Sequence, residues 1–244
     1  MKRMDDICKA LSSLNNSDSS TKRHLIVVAF DHVNHGTRLV NKRANFGWKQ
    51  EPQENPTHAF DMWSMVQGSS ATVSTLIDVL EYYIFEPQEQ SRVEVWGVIG
   101  FSLGGHTSLI TAANDPRLTV VIPIVGTADM LNLIQSRLDE CQLPQQEYFP
   151  LSFRDIVRRK TQNMHESLKS TKLLIINGEK DTMVPASTNF AFVDRLRKSH
   201  QGKEGQDWNF VVVPGVGHQW CQEMVDLSLG WCDKWMLRMD NSKL

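Results

Sequence analysis

The chain has 244 residues, of which 41% are hydrophobic and 22% charged, and its formal net charge is −2. That length and balance fit one soluble α/β domain with a sizeable core, and so small a net charge argues against nucleic acid or an anionic membrane as a partner. No apolar run reaches the roughly 18 residues that a membrane span needs. The amino-terminal MKRMDDICKALSSL interrupts its apolar pattern with charges, so it does not read as a secretory signal. Cys8, Cys141, Cys221 and Cys232 match no zinc spacing and read as reduced thiols of a cytoplasmic protein, a disulfide in a secreted form being the alternative.

In chain order, Met4, Ile7, Cys8, Leu11 and Leu14 share one face of a helix, and the polar NNSDSSTKR after them reads as a loop. HLIVVAF then reads as a buried strand ending at Asp31. Residues 34–61 have little periodicity and read as a long surface loop, whereas Val73, Leu76, Ile77, Leu80 and Tyr83 mark an amphipathic helix. VEVWGVIGF (93–101), LTVVIPIV (118–125), KLLIING (172–178) and WNFVVVPG (208–215) complete five expected strands. Helices stand between them at HTSLITAA and FAFVDRLRK and after them at Met224, Leu227, Trp231 and Trp235, while 127–171 holds short helical patterns without a strand. Continuous Val/Ile/Leu runs alternating with helices predict a doubly wound, mostly parallel sheet over a single domain, 1–244. The segment 127–171 is expected to be a short helical cap or lid inserted within it. Sites in such sheets gather at the carboxyl ends of the strands.

Gly100-Phe101-Ser102-Leu103-Gly104 fits G-x-S-x-G between a strand and a helix. A turn that tight forces the serine into a strained backbone conformation, small residues two before and two after relieve the crowding, and the hydroxyl is lifted above the sheet. The Leu103 N–H, at the start of the helix, is then placed to meet a developing oxyanion. A serine needs a base and the base an orienting acid, which follow such a motif in the order acid, then histidine. Asp181, in the loop after KLLIING, is the favoured acid over Glu179, and His218, after WNFVVVPG, is the base. Asp181 can equally cap the helix that follows. Phe101, Trp220 and Leu131 are candidate substrate-binding residues; the plainer alternative is lid packing for Leu131 and helix anchoring for Trp220. His106 reads as a packing residue and His35 as a structural loop residue.

AFDHVNHGTR, GFSLGGH, NGEKDTMVP and PGVGH together resemble the α/β-hydrolase superfamily, in particular its small esterase and dienelactone-hydrolase-like branch with fungal-type members. The resemblance implies that the five strands correspond to the fourth to eighth of that fold. It also implies a strand between the first two of them, ending in a loop that donates an oxyanion N–H. Nothing in the sequence supplies that strand, which points to an N-terminally abbreviated chain, an alternative start, or a rearranged compact sheet. His35 and Gly36 belong to the preceding strand's ending and do not inherit the oxyanion role.

The expected function is therefore a serine hydrolase of small-molecule carboxylic esters or thioesters, using Ser102, His218, Asp181 and the Leu103 N–H, with no metal or organic cofactor. The alternatives are a catalytically weak or inactive hydrolase-fold protein with a binding role, since one missing oxyanion donor costs about 100- to 1000-fold, and lyase or C–C hydrolase chemistry on the same residues. The sequence is silent on oligomeric state.

Overall fold

A computed structural model describes residues 2–16, 22–49, 54–89 and 91–239. Its centre is one all-parallel sheet of four strands in the order β1 (Trp96–Phe101), β2 (Leu118–Ile124), β3 (Lys172–Gly178) and β4 (Trp208–Val213). Before it come α1 (Lys2–Ser13) and α2 (His58–Ile84); α3 (Leu103–Asn114) joins β1 to β2. Four helices, α4 (Met130–Glu140), α5 (Gln145–Tyr148), α6 (Leu151–Thr161) and α7 (Met164–Ser167), fill the stretch between β2 and β3. α8 (Phe190–Ser199) precedes β4, and α9 (Gln222–Cys232) runs into a π turn over Asp233–Leu237. The side chain of Met4 and residues 17–21 of the polar stretch lie outside the described residues.

Strand periodicity splits the core in two, because successive side chains leave a strand on opposite faces. Val121, Leu173 and Ile175 pack with α2, α3 and α8. Val120, Ile122, Ile124, Leu174 and Ile176 pack on the other face with Ile7 and Leu11 of α1 and Met224 and Trp231 of α9. Both faces are covered, so the central strands are largely apolar, as a parallel sheet requires. α2 begins 15 residues before the amphipathic pattern at Val73 makes it visible. Its first turns bury Ala59, Met62, Trp63, Met65 and Val66, four of them at helical spacing on the face that Ser69, Val73 and Ile77 continue. The loop before it is ordered around Asn34, whose backbone takes φ 61°. Its Oδ1 accepts from Val40 N (3.0 Å) and Asn41 N (2.8 Å), and its Nδ2 donates to the Asn41 carbonyl (2.7 Å).

The fifth expected strand does not form. Residues 24–30 alternate as a strand would, with Leu25 and Val27 packed on the core while Ile26, Val28 and Phe30 stay 49%, 45% and 41% exposed. Yet from His24 to Phe30 the main chain makes no main-chain hydrogen bond among the described residues. A strand is defined by its ladder, and the edge that could supply one, β1, lies across a cleft of about 690 Å³ lined by both segments. The apolar alternation was legible, and the resemblance had already left this segment and β1 without the strand expected between them.

His106 is fully buried, His32 and His58 half-buried, and all three stand as neutral rings. Burial pushes the pKa of His106 down to about 3 and that of His32 to about 4. His58 also falls to about 4, through burial and then the facing Arg137 guanidinium. Their unfolded value is 6.5, so the unfolded chain binds more protons than the native one between about pH 6.5 and pH 4. Stability is therefore full above that window and falls as pH drops through it, by up to about 1.4 kcal/mol per pH unit for each such proton. Urea unfolding midpoints should decline between pH 7 and pH 4.5, and His106→Gln should make that decline shallower; an unchanged slope would remove His106 from the account.

Candidate active site

The site grows from the carboxyl ends of β1, β3 and β4. β1 ends at Phe101 and α3 begins at Leu103, so the chain reverses within Ser102 alone, at φ 55° and ψ −114°. For a non-glycine residue this conformation costs on the order of 1–3 kcal/mol. Its neighbours hold it: Ser102 N donates to the Ile124 carbonyl of β2 (2.9 Å), and His106 N donates to the Ser102 carbonyl (3.1 Å). A Cβ at Gly100 would sit 1.9 Å from the Gly104 carbonyl oxygen, so only glycine fits there. The second small residue of the motif is a correction: at Gly104 a Cβ would meet nothing within 4 Å. The crowding falls one residue later, where Gly105 lies against Gly126 and a Cβ would stand 2.8 Å from the Ile124 carbonyl oxygen.

The loops after β3 and β4 are bound to each other. Lys180 N donates to the Val216 carbonyl (2.8 Å), and Gly215 N donates to the Glu179 carboxylate (2.7 Å). Glu179, the rival acid, is thus an exposed strap between the loops. Asp181, 4% exposed, turns inward. Its Oδ1 accepts from Met183 N and Val184 N, both at 2.9 Å, while its Oδ2 stands 2.8 Å from His218 Nδ1. A buried carboxylate needs partners on both oxygens, and this one has them. The helix-cap reading is corrected: the turn at Ala186–Asn189 is preceded by Pro185 and α8 by Asn189, and Asp181 Oδ1 instead closes the loop at Met183 and Val184.

His218 Nε2 lies 2.8 Å from Ser102 Oγ. With Nδ1–H assigned to Asp181 by that network, Nε2 is the lone-pair nitrogen and the serine hydroxyl donates to it. Three side chains separated by 79 and 37 positions in sequence thus form one hydrogen-bonded line. Leu103 is the first residue of α3, so its N–H has no intrahelical acceptor. Phe101 stacks on Trp220 at 4.8 Å between ring centroids and stands 5.6 Å from the His218 ring. Leu131, on α4, packs against the core around α2 and α3.

Several supporting residues escape sequence reasoning. Asn189 Nδ2 donates to the Gly126 carbonyl (2.8 Å) and to Asn177 Oδ1 (3.0 Å), and its Oδ1 accepts from Ala128 N (3.0 Å). Two fully buried asparagines thereby fasten the ends of β2 and β3 together. Asn177 is the polar residue within the apolar run of β3, which is the signal that could have found it. His106 Nδ1 accepts from Thr127 N (2.9 Å) on the same rim. Arg137 of α4 donates to the Met183 carbonyl (3.0 Å), bracing the turn that feeds Asp181. His35 approaches its own loop, with Nδ1 3.0 Å from the Val33 carbonyl. Among the described residues, no cluster of three or more His, Cys, Asp or Glu side chains is arranged to hold a metal ion.

Comparison with known proteins places this geometry in context. The prolyl oligopeptidase family matches residues 58–236, well over half of the chain. A Bacillus subtilis (strain 168) protein described as "Putative esterase YitV" is 22% identical over 226 residues, covering 89% of this chain and 86% of that one. The crystal structure of TT1662 from Thermus thermophilus superposes with a TM-score of 0.58 at 17% identity, over 77% of this chain and 72% of that chain. A Pyrococcus furiosus esterase, Pf2001, superposes with a TM-score of 0.48 at 17% identity, over 68% and 62% of the two chains. The fold is an abbreviated α/β-hydrolase fold.

The glycine contacts discriminate between neighbours. Gly105→Ala presses a methyl into backbone and should lower the urea unfolding free energy by about 1–3 kcal/mol. Gly104→Ala meets open space inside a helix and should be neutral or stabilising by up to about 1 kcal/mol. Equal effects at the two positions would contradict the packing described.

Proposed function

Since the chain belongs to the prolyl oligopeptidase family, we propose that it is a serine hydrolase that opens small carboxylic esters or thioesters through an acyl-enzyme on Ser102. The observation that carries this reading is the hydrogen-bonded line from Ser102 Oγ to His218 Nε2 and from His218 Nδ1 to Asp181 Oδ2, each step 2.8 Å. The relative described as an esterase supports the choice of ester chemistry.

In this reading His218 Nε2 takes the Ser102 proton as Oγ attacks the acyl carbon. The imidazolium is stabilised by Asp181, which stays ionised. The developing oxyanion meets the Leu103 N–H at the positive end of α3. His218 then returns its proton to the leaving alcohol or thiol. A water enters, gives a proton to the same nitrogen, attacks the acyl carbon and releases the acid, restoring the serine. Ser102 is held by packing, so the strained hydroxyl needs little reorganisation before attack. The stacked Phe101 and Trp220 form an apolar wall beside His218, suited to an acyl chain or an aromatic leaving group. The helices of 127–171 are read as a cap within the domain, with Leu131 packing into the core of α2 and α3 and not against Phe101 and Trp220.

A fluorophosphonate probe should label the wild-type protein and leave Ser102→Ala unlabelled. Asp181→Asn should retain the fold but lose roughly 10⁴-fold in kcat on p-nitrophenyl esters, because the amide holds the wrong imidazole tautomer. Labelling that persists in Ser102→Ala would refute the nucleophile assignment.

A further inference from the structure

Two polar side chains at the active rim carry hydrogens that no described residue accepts. The first belongs to His106, on α3 one turn past the nucleophile and 2% exposed. Its backbone N–H donates to the Ser102 carbonyl (3.1 Å), which ties this residue to the block that carries the serine. Nδ1 stands 2.9 Å from Thr127 N and 3.2 Å from the Thr127 carbonyl. An N–H can only donate, so Nδ1 accepts it at the shorter distance and the proton of the neutral ring sits on Nε2. Among the described residues Nε2–H has no acceptor. The charges that act on the ring are those of Arg137, His218 and His32, so it stands among the groups of the active rim.

The second is Arg137 of α4. Arg117, Arg158, Arg197 and Arg238 each pair with a carboxylate; Arg137 does not. Its Nη1 donates to His58 Nε2 and to Met62 Sδ, both at 3.3 Å, and its Nη2 to the Met183 carbonyl (3.0 Å), all of them neutral acceptors. His58 offers a lone pair there because its Nδ1–H is given to the Phe46 carbonyl (3.0 Å). Nε–H and the other Nη2–H of Arg137 have no acceptor among the described residues. Burial pulls the guanidinium pKa down, while Glu140 and Asp181 act on it from beyond ion-pair distance. A cation so placed is costly, and an uncharged amide could have braced the Met183 carbonyl as well.

Resting on the serine-hydrolase reading above, we propose that His106 Nε2–H and the open edge of Arg137 form a carboxylate-binding subsite, and that the preferred substrates are esters or thioesters whose acyl part carries a second, ionised carboxyl group. Both side chains can only donate here, which selects an acceptor, and a guanidinium edge beside one further N–H suits the two oxygens of a planar carboxylate. Glu140 and Asp181 already offset part of the guanidinium charge, so the site accommodates one negative charge and disfavours a phosphate dianion. The acyl side follows from attachment. His106 is bonded to Ser102, which keeps the acyl group, whereas the leaving group departs beside His218, where Phe101 and Trp220 stand. One water is consumed, and the products are the alcohol or thiol and a dicarboxylic acid.

The test compares monomethyl adipate with dimethyl adipate, which differ only in whether the distal carboxylate is free or capped. The wild-type protein should hydrolyse the monoester with kcat/KM at least about tenfold higher, most of the difference lying in KM. Arg137→Gln and His106→Asn should each cut that preference at least about fivefold. His106→Asn keeps an acceptor near the Nδ1 position for Thr127 N and removes the Nε2 donor. Arg137→Lys, charged but without the fork, should fall between wild type and Arg137→Gln. A merely structural role would lower turnover of both esters alike. Urea midpoints identify a variant that fails to fold, and the other then decides. In Ser102→Ala, calorimetric titration should give a Kd for monomethyl adipate at least about tenfold below that for the diester. This arm does not depend on turnover, and fluorophosphonate labelling at Ser102 reports the hydrolase reading separately. Equal wild-type rates for the two esters, a preference for the diester, an unchanged preference in either folded variant, or equal binding to Ser102→Ala would overturn the subsite.

Discussion

Everything at the active rim depends on one tight reversal of the chain. Ser102 can stand at φ 55° only because the backbone on either side is allowed to approach closely. Gly100 passes under Gly104, Gly105 lies on Gly126, and the Ile124 carbonyl catches the Ser102 N–H. These contacts tie β1, α3 and the end of β2 into one block. The strain at the serine is therefore sustained by packing beneath it, and the hydroxyl projects from a part of the molecule that has little freedom to relax.

Opposite that block stands a second one, assembled from the loops after β3 and β4. Gly178 sets it up, since a Cβ there would lie 2.4 Å from the Val216 carbonyl oxygen. The loops are then laced by Lys180 to Val216 and by Glu179 to Gly215. Asp181 and His218 belong to this unit. Arg137 reaches it from α4 through the Met183 carbonyl, so the helices between β2 and β3 brace the acid whatever else they cover.

How much of this could be read from the amino acids alone varied with the kind of signal. The G-x-S-x-G motif, the acid after KLLIING and the histidine after WNFVVVPG were legible because each sits at the end of a continuous apolar run, and the structure brings Ser102, Asp181 and His218 within hydrogen-bond reach. Four of the five expected strands form for the same reason. HLIVVAF is extended, as its apolar alternation said, but forms no ladder, because the strand that the resemblance places between it and β1 is the one nothing in the sequence supplies. The start of α2 was missed because the Asn-, Pro- and Gln-containing loop was read as running through residue 61, although Ala59, Met62, Trp63 and Val66 already repeat at helical spacing. Asn177, Asn189 and Arg137 were missed because side-chain bonds to main-chain carbonyls far away in sequence leave no spacing to recognise; the role of Gly104 was over-read because the motif's spacing was taken as a record of crowding.

Beneath the rim the two blocks are sewn together, by Val125 N to the Ile176 carbonyl and by Asn177 and Asn189 to the Gly126 carbonyl, but the reacting side chains themselves meet through a single bond. Within each, the bonds are many and largely main-chain; between the serine and the imidazole there is one, from Ser102 Oγ to His218 Nε2. That single side-chain bond, rather than the laced backbone beneath it, is what a side-chain rotation can break. A rise in temperature that leaves every helix and strand intact can still part the hydroxyl from its acceptor, so that the chemical competence of the molecule and its foldedness need not vanish together.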